Sequence, residues 1–216
     1  MSSTSGIDSL AAKTIRLDVL DHLRVFGIGE EIPLPLLGGE FGLRPLKEMT
    51  GRVLALNATI AVAFGFDRTN ALQWLAGFDL LEFLTENERE FLEIASADVL
   101  PFRQNVEALF AIAWALNLFD GMSFGELCPT TLVSTFPNLK AKESPEPFIQ
   151  KCRLRPVLEV VRQADLYYCL DWYVRELRFG ALTGSMPLPE YAIIGRRQSF
   201  EWMLGGDEWD CVRLDT

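Results

Sequence analysis

Positive charge, histidine, paired cysteines and long apolar runs are all scarce in this chain, and each shortage excludes something. Over 216 residues, 20 Lys and Arg stand against 30 Asp and Glu, a formal net charge of −10. A field of that sign repels phosphate backbones and anionic lipid, so neither nucleic acid nor a membrane surface is an expected partner. The one histidine, His22, lies beside Asp21 and Arg24, with no second His or acidic pair at metal-ligand spacing. It reads as a solvated or capping residue, and no metal site is expected. Cys128, Cys152, Cys169 and Cys211 form no CxxC pair and read as buried free thiols. HExxH, GxSxG, Walker and GxGxxG patterns are missing. Gly27-Ile28-Gly29 is followed by Glu30-Glu31, whose charge opposes a phosphate, so no cofactor is expected. The first residues have no basic cluster leading into an apolar run, so the chain reads as cytoplasmic. The apolar runs around residues 53–66 and 108–119 are broken by Asn, Thr or Gly before the roughly 20 residues a bilayer requires.

What is present is an ordinary globular composition, 49% hydrophobic and 23% charged. Apolar residues at three- and four-residue spacing predict a helix over 8–26, stopped by Gly27. Residues 28–44 hold Pro33, Pro35, Gly38, Gly39 and Gly42 and read as a long loop. Helices follow over 47–64 and 68–75. Thr85-Glu86-Asn87-Glu88 fits a capping box and predicts a helix to about Ala95. Residues 102–118 form the most apolar segment, greasy on nearly every face, and belong at the centre. Pro156 divides 146–155 from 157–179, and a further helix over 189–204 is closed by Gly205-Gly206. The last ten residues alternate weakly and can form a short extended arm. The expected fold is all-α, a single globular domain of about eight helices with long loops. Residues 1–45, helix plus Pro/Gly-rich loop, and the helical part 46–216 form one compact unit.

Two groups of residues stand out. Arg103 and Glu107 are four apart, with Trp114 seven beyond Glu107. Asp165 and Trp172 repeat the seven-residue acid-to-tryptophan spacing, and Arg196 and Arg197 precede Trp202. A buried carboxylate needs a counter-ion, so Arg103, Glu107, Asp165, Arg196 and Arg197 read either as a structural ion-pair network or as the lining of a polar pocket. The second group is acidic. Residues 79–98 carry seven acids against Arg89 alone, a net of −6 that includes Glu86, Glu88, Glu90 and Glu93.

The order of these motifs, Arg103 to Leu109 with Trp114-Ala115-Leu116, Asp165-Leu166 with Trp172, Arg196-Arg197 with Trp202, and Trp209-Asp210-Cys211-Val212 with Asp215-Thr216, resembles the bacterial domain-of-unknown-function family numbered forty-two seventy-two. The resemblance covers about 46–216. It implies a soluble, mostly helical bacterial protein and assigns no catalytic residues. From the residues, two functions are expected. One is an acidic, immunity-like or accessory domain that binds a basic protein through Glu86, Glu88, Glu90 and Glu93. The other is a small-molecule binder or enzyme whose cleft is lined by Glu107, Asp165, Arg196 and Arg197 among the tryptophans.

Overall fold

The computed structural model describes residues 5–28, 32–94 and 98–214. The first strand, β1 (Ser5–Ile7), leads into α1 (Ser9–Arg24). This helix starts where it does because the Asp8 carboxylate accepts from the free N–H groups of Leu10 and Ala11, at 3.0 and 2.8 Å. Its inner face is Ala12, Ile15, Val19 and Leu23. The breaker-rich segment after it is not wholly loop: β2 (Gly39–Phe41) pairs antiparallel with β1, Gly6 opposite Glu40. Three-residue strands are too short to show an alternation, and so the sequence gives no sign of them.

The chain continues through α2 (Leu46–Ala63), α3 (Arg68–Gly77), a 3-10 turn at Leu81–Phe83 and α4 (Glu86–Glu93). Then come α5 (Leu100–Gln104), α6 (Val106–Ala115), a 3-10 turn at Leu132–Thr135, and α7 (Glu146–Lys151). The two long helices α8 (Val157–Arg178) and α9 (Glu190–Leu204) precede a last 3-10 turn at Trp209–Cys211. The expected C-terminal arm therefore includes a helical turn, drawn inward by the buried Trp209. Residues 95 and 215–216, where a helix end and the last family motif were expected, lie outside the described residues.

Every α6 residue from Glu107 to Ala115 is buried, as an all-round apolar helix requires. It lies between α2 and α9; α9 packs on α8, and α8 on α1. Small residues bring α9 close to α6, where the Ser199 hydroxyl donates to Ala108 O at 3.0 Å. The far end of α6 explains the break at Pro156. The extended segment before α8 turns its N–H groups toward the carbonyls α6 leaves unused: Arg153 N donates to Leu116 O at 3.0 Å and Arg155 N to Ala115 O at 2.9 Å. Arg155 adds its Nε to Trp114 O at 2.7 Å and lays its guanidinium 4.5 Å over the Trp114 ring. The result is a mostly α-helical single domain with one hydrophobic core.

Candidate functional site: an acidic lip around two tryptophans

The charged residues expected among the tryptophans are buried, and they divide into separate ion pairs. Glu107 pairs with Arg196, whose Nε lies 2.8 Å and Nη2 2.6 Å from Oε2. Arg196 spends its remaining N–H groups on Ser123 O, Tyr167 Oη and Glu126 O, at 2.8, 2.6 and 2.8 Å. All five guanidinium donors are thus used. The other Glu107 oxygen accepts from Cys128 N at 2.9 Å. Burial opposes the charge on Arg196, but Tyr167 and Glu107 more than offset it and its pKa stays above the ordinary value. Asp165 does not join this group. It takes a two-point contact from Arg16, Nε at 2.8 Å and Nη2 at 2.7 Å, while Arg16 also holds the loop carbonyls of Leu34 and Pro35 at 3.1 Å. Arg197 pairs with Asp171, which also accepts from Arg175.

Arg103 is elsewhere again. The helix expected over 102–118 breaks at Asn105, which rotates Arg103 away from Glu107. Arg103 instead donates to Ala63 O at 2.8 Å and stacks on Phe64 at 5.2 Å. Glu107, Asp165, Arg196 and Arg197 are each 2% exposed or less, and none of them lines any of the three main surface cavities among the described residues. A shared cleft between them is therefore not what the fold builds. Their groups are consumed in holding α6, α8, α9 and the loops together.

The acidic group behaves differently. Helix α4 begins as the capping box requires: Thr85 Oγ1 accepts from Glu88 N at 3.2 Å, and Glu88 Oε2 from Thr85 N at 3.1 Å. The same geometry turns Glu88 inward, where it grips Arg52 at 2.6 and 2.8 Å. Glu88 is thus removed from the expected partner face, while Glu86, Glu90 and Glu93 remain exposed. Behind that pair the Arg52 guanidinium lies 4.3 Å over Trp209, and Trp209 meets Trp202 edge-on at 5.6 Å. Arg44 covers Trp202 at 4.7 Å and donates to Trp202 O and Asp207 O at 2.7 and 2.5 Å.

This stack fixes the C-terminal segment against α4, and Asn87 Nδ2 secures it by donating to Asp210 Oδ2 at 2.9 Å. Two cavities open along the seam. One, about 660 Å³, includes Glu86, Glu208 and Asp210 in its lining; the other, about 470 Å³, includes Glu90, Asp98 and Asp210, and Trp209 is common to both. The basic residues of the larger cavity are already paired: Arg44 with Glu48, Lys47 with Glu82, Arg52 with Glu88. Glu86, Glu90, Asp98, Glu208 and Asp210 have no ion-pair partner among the described residues and form an uncompensated acidic lip. The contribution of Glu208 and Asp210 was missed in the sequence, although the alternation of Asp207, Glu208 and Asp210 around Trp209 is a visible signal of a pinned acidic turn.

Of the cysteines, Cys152 and Cys169 are buried, Cys128 is half-buried, and Cys211 is exposed, because in its 3-10 turn Trp209 takes the inward position. Burial pushes the Cys128 thiol up to about 12, with Glu107 adding to the shift; burial takes Cys169 to about 12 and Cys152 to about 11. His22 packs edge-on against Phe124 at 5.2 Å.

These features define a mostly helical domain with ion pairs locked in its interior and an acidic groove on its surface. The family described as Domain of unknown function (DUF4272) matches residues 19–212, and the chain belongs to it. The match begins inside α1, well before the residue 46 at which the motifs first showed it, and so takes in Arg44 and its Trp202 stack. No curated protein and no solved structure matches this chain. No helix among the described residues is long and apolar enough to cross a membrane.

Proposed function

We propose that this chain is a protein-binding module that offers its acidic lip to a basic segment of a partner protein in the cytoplasm, as an immunity-like or accessory domain does. The reading rests on one observation: Asn87 joins Asp210 to α4, so that carboxylates from two distant stretches of sequence line the two cavities of one seam without an ion-pair partner among the described residues. Charge of one sign gathered on a rigid floor speeds encounter with an opposite partner and fixes its register. Trp209, buried beneath the seam and stacked under Arg52, keeps that floor rigid. The four unpaired cysteines accord with a reducing compartment.

The test compares affinity capture from source cells by the wild-type chain and by a variant carrying Glu86→Lys, Glu90→Lys and Asp210→Lys. A control variant reverses the same amount of charge at the exposed Asp18, Asp120 and Glu146. A basic partner is expected to be held by the wild type and the control, lost by the lip variant, and released by salt as the Debye length shrinks below about 8 Å. Retention of every captured protein by the lip variant overturns the proposal.

A further inference from the structure

Helix α2 buries four polar side chains, and three of them are engaged, although Arg52 Nε itself has no partner among the described residues. Thr50 and Thr59 donate to carbonyls one turn back, Leu46 O at 2.8 Å and Ala55 O at 3.0 Å, and Arg52 holds Glu88. The fourth, Asn57, is only 5% exposed, and its carboxamide has no hydrogen-bond partner among the described residues. The Asn57 amide is not sealed in the core: its polar atoms reach the solvent at the surface, where a hydrogen-bonding molecule can meet them. Asn57 lines the third surface cavity, about 930 Å³, between the end of α2 and the loop around the Leu132–Thr135 turn. That volume is far beyond the roughly 30 Å³ share of one water and lies within the range of small-molecule sites.

Phe64, Phe66 and Phe136 supply aromatic lining. Phe64 is 63% exposed, and Arg103, stacked on it, restrains the ring. The outer wall is a firm loop: Asn138 N donates to Glu143 Oε2 at 2.8 Å, and Trp74 Nε1 donates to Glu143 O at 2.9 Å. The two acids in the lining, Asp67 and Glu143, are thereby each engaged, Asp67 as the cap of α3 with Asn70 N at 2.8 Å. Beside them stands a single cation, Lys140. Aromatic lining, a near balance of charge and one unspent amide together select for a flat molecule without strong charge.

We infer that this cavity is a binding site for a neutral, planar aromatic ligand whose edge carries a hydrogen-bond donor beside an acceptor, matched to the Asn57 carboxamide. The amide reads the edge, and the phenylalanines stack on the ring. The site is separate from the acidic lip and does not depend on it.

The experiment titrates the full ¹⁵N-labelled chain with benzamide and with adenine, which carry such an edge, and with toluene, which does not. Saturable shifts of the Asn57 side-chain NH₂ resonances are expected with the first two. Asn57→Leu is expected to keep or raise the thermal midpoint, weaken benzamide and adenine roughly tenfold, and leave toluene unaffected. Phe64→Ala, at an exposed edge where folding is not at stake, is expected to weaken all three. No saturable shift with benzamide or adenine in the wild type overturns the inference. Equal affinity of Asn57→Leu for both, or a preference for toluene over benzamide, does the same.

Discussion

At the scale of single residues, the Glu107–Arg196 pair behaves as a joint rather than as a charge. An ordinary buried ion pair can be exchanged for apolar residues of similar volume at little cost, because only the pair itself is lost. Here Arg196 also serves Ser123 O, Glu126 O and Tyr167 Oη, and Glu107 serves Cys128 N. Glu107→Gln is expected to lower stability in urea unfolding by about 3–5 kcal/mol, since it leaves a buried guanidinium uncompensated. The double variant Glu107→Leu with Arg196→Met is expected not to recover, because the carbonyls and the N–H then lose partners worth about 1 kcal/mol each. Full recovery in the double variant would show the pair to be isolated. The chemistry of the cysteines follows from the same packing. Iodoacetamide at neutral pH is expected to label Cys211 alone in the native chain, by intact-mass counting, because the other three thiols are held protonated.

At the scale of elements, the clearest device is the approach of the Leu81–Phe83 turn to α2. A Cβ on Gly51 would lie 2.4 Å from the Phe83 ring, so the glycine is there for space. Gly51→Ala is expected to cost about 1–3 kcal/mol as Phe83 is driven aside. Gly77→Ala, at the end of α3 where a Cβ meets nothing within 4 Å, is expected to be neutral or stabilising in the same unfolding assay. Elements were the most legible part of the sequence. Asp8, Asp67 and the Thr85 box announce helix starts through bonds made within three residues, and α6 showed its central place by being apolar all round. What the sequence did not display were the partners. Arg16 and Asp165 are 149 residues apart, and no local spacing joins them. The four-residue interval suggested Arg103 for Glu107, yet a break at Asn105, which has no side-chain cap, undid it. Glu88 counts as one more surface acid in the sequence, because the capping box fixes only its bond back to Thr85 N and not its pairing with Arg52, 36 residues away. In the sequence Asn57 is only an interruption of an apolar run, and nothing local shows that its side chain lines a cavity.

At the scale of the whole molecule, acidity and buried thiols set how stability depends on pH. Cys128, Cys152 and Cys169 have folded-state pKa values raised from 9.0 to about 12, 11 and 12. Below pH 9 these thiols are neutral whether the chain is folded or not, and their contribution is fully present. As pH rises through 9 the unfolded chain releases protons that the folded chain retains, so the contribution shrinks until the folded values are reached. The thermal midpoint is expected to fall steadily from about pH 9 upward, more steeply than in a variant with all three cysteines changed to alanine. Identical slopes would place the loss elsewhere. The same long-range architecture bears on biosynthesis. Glu107 and Arg196 are separated by 89 residues. While a ribosome is still making the intervening stretch, α6 has emerged with its greasiest side uncovered and its carboxylate uncompensated. A nascent chain of this kind needs shelter, by a chaperone or by the tunnel exit itself, until α9 is out and can close over it.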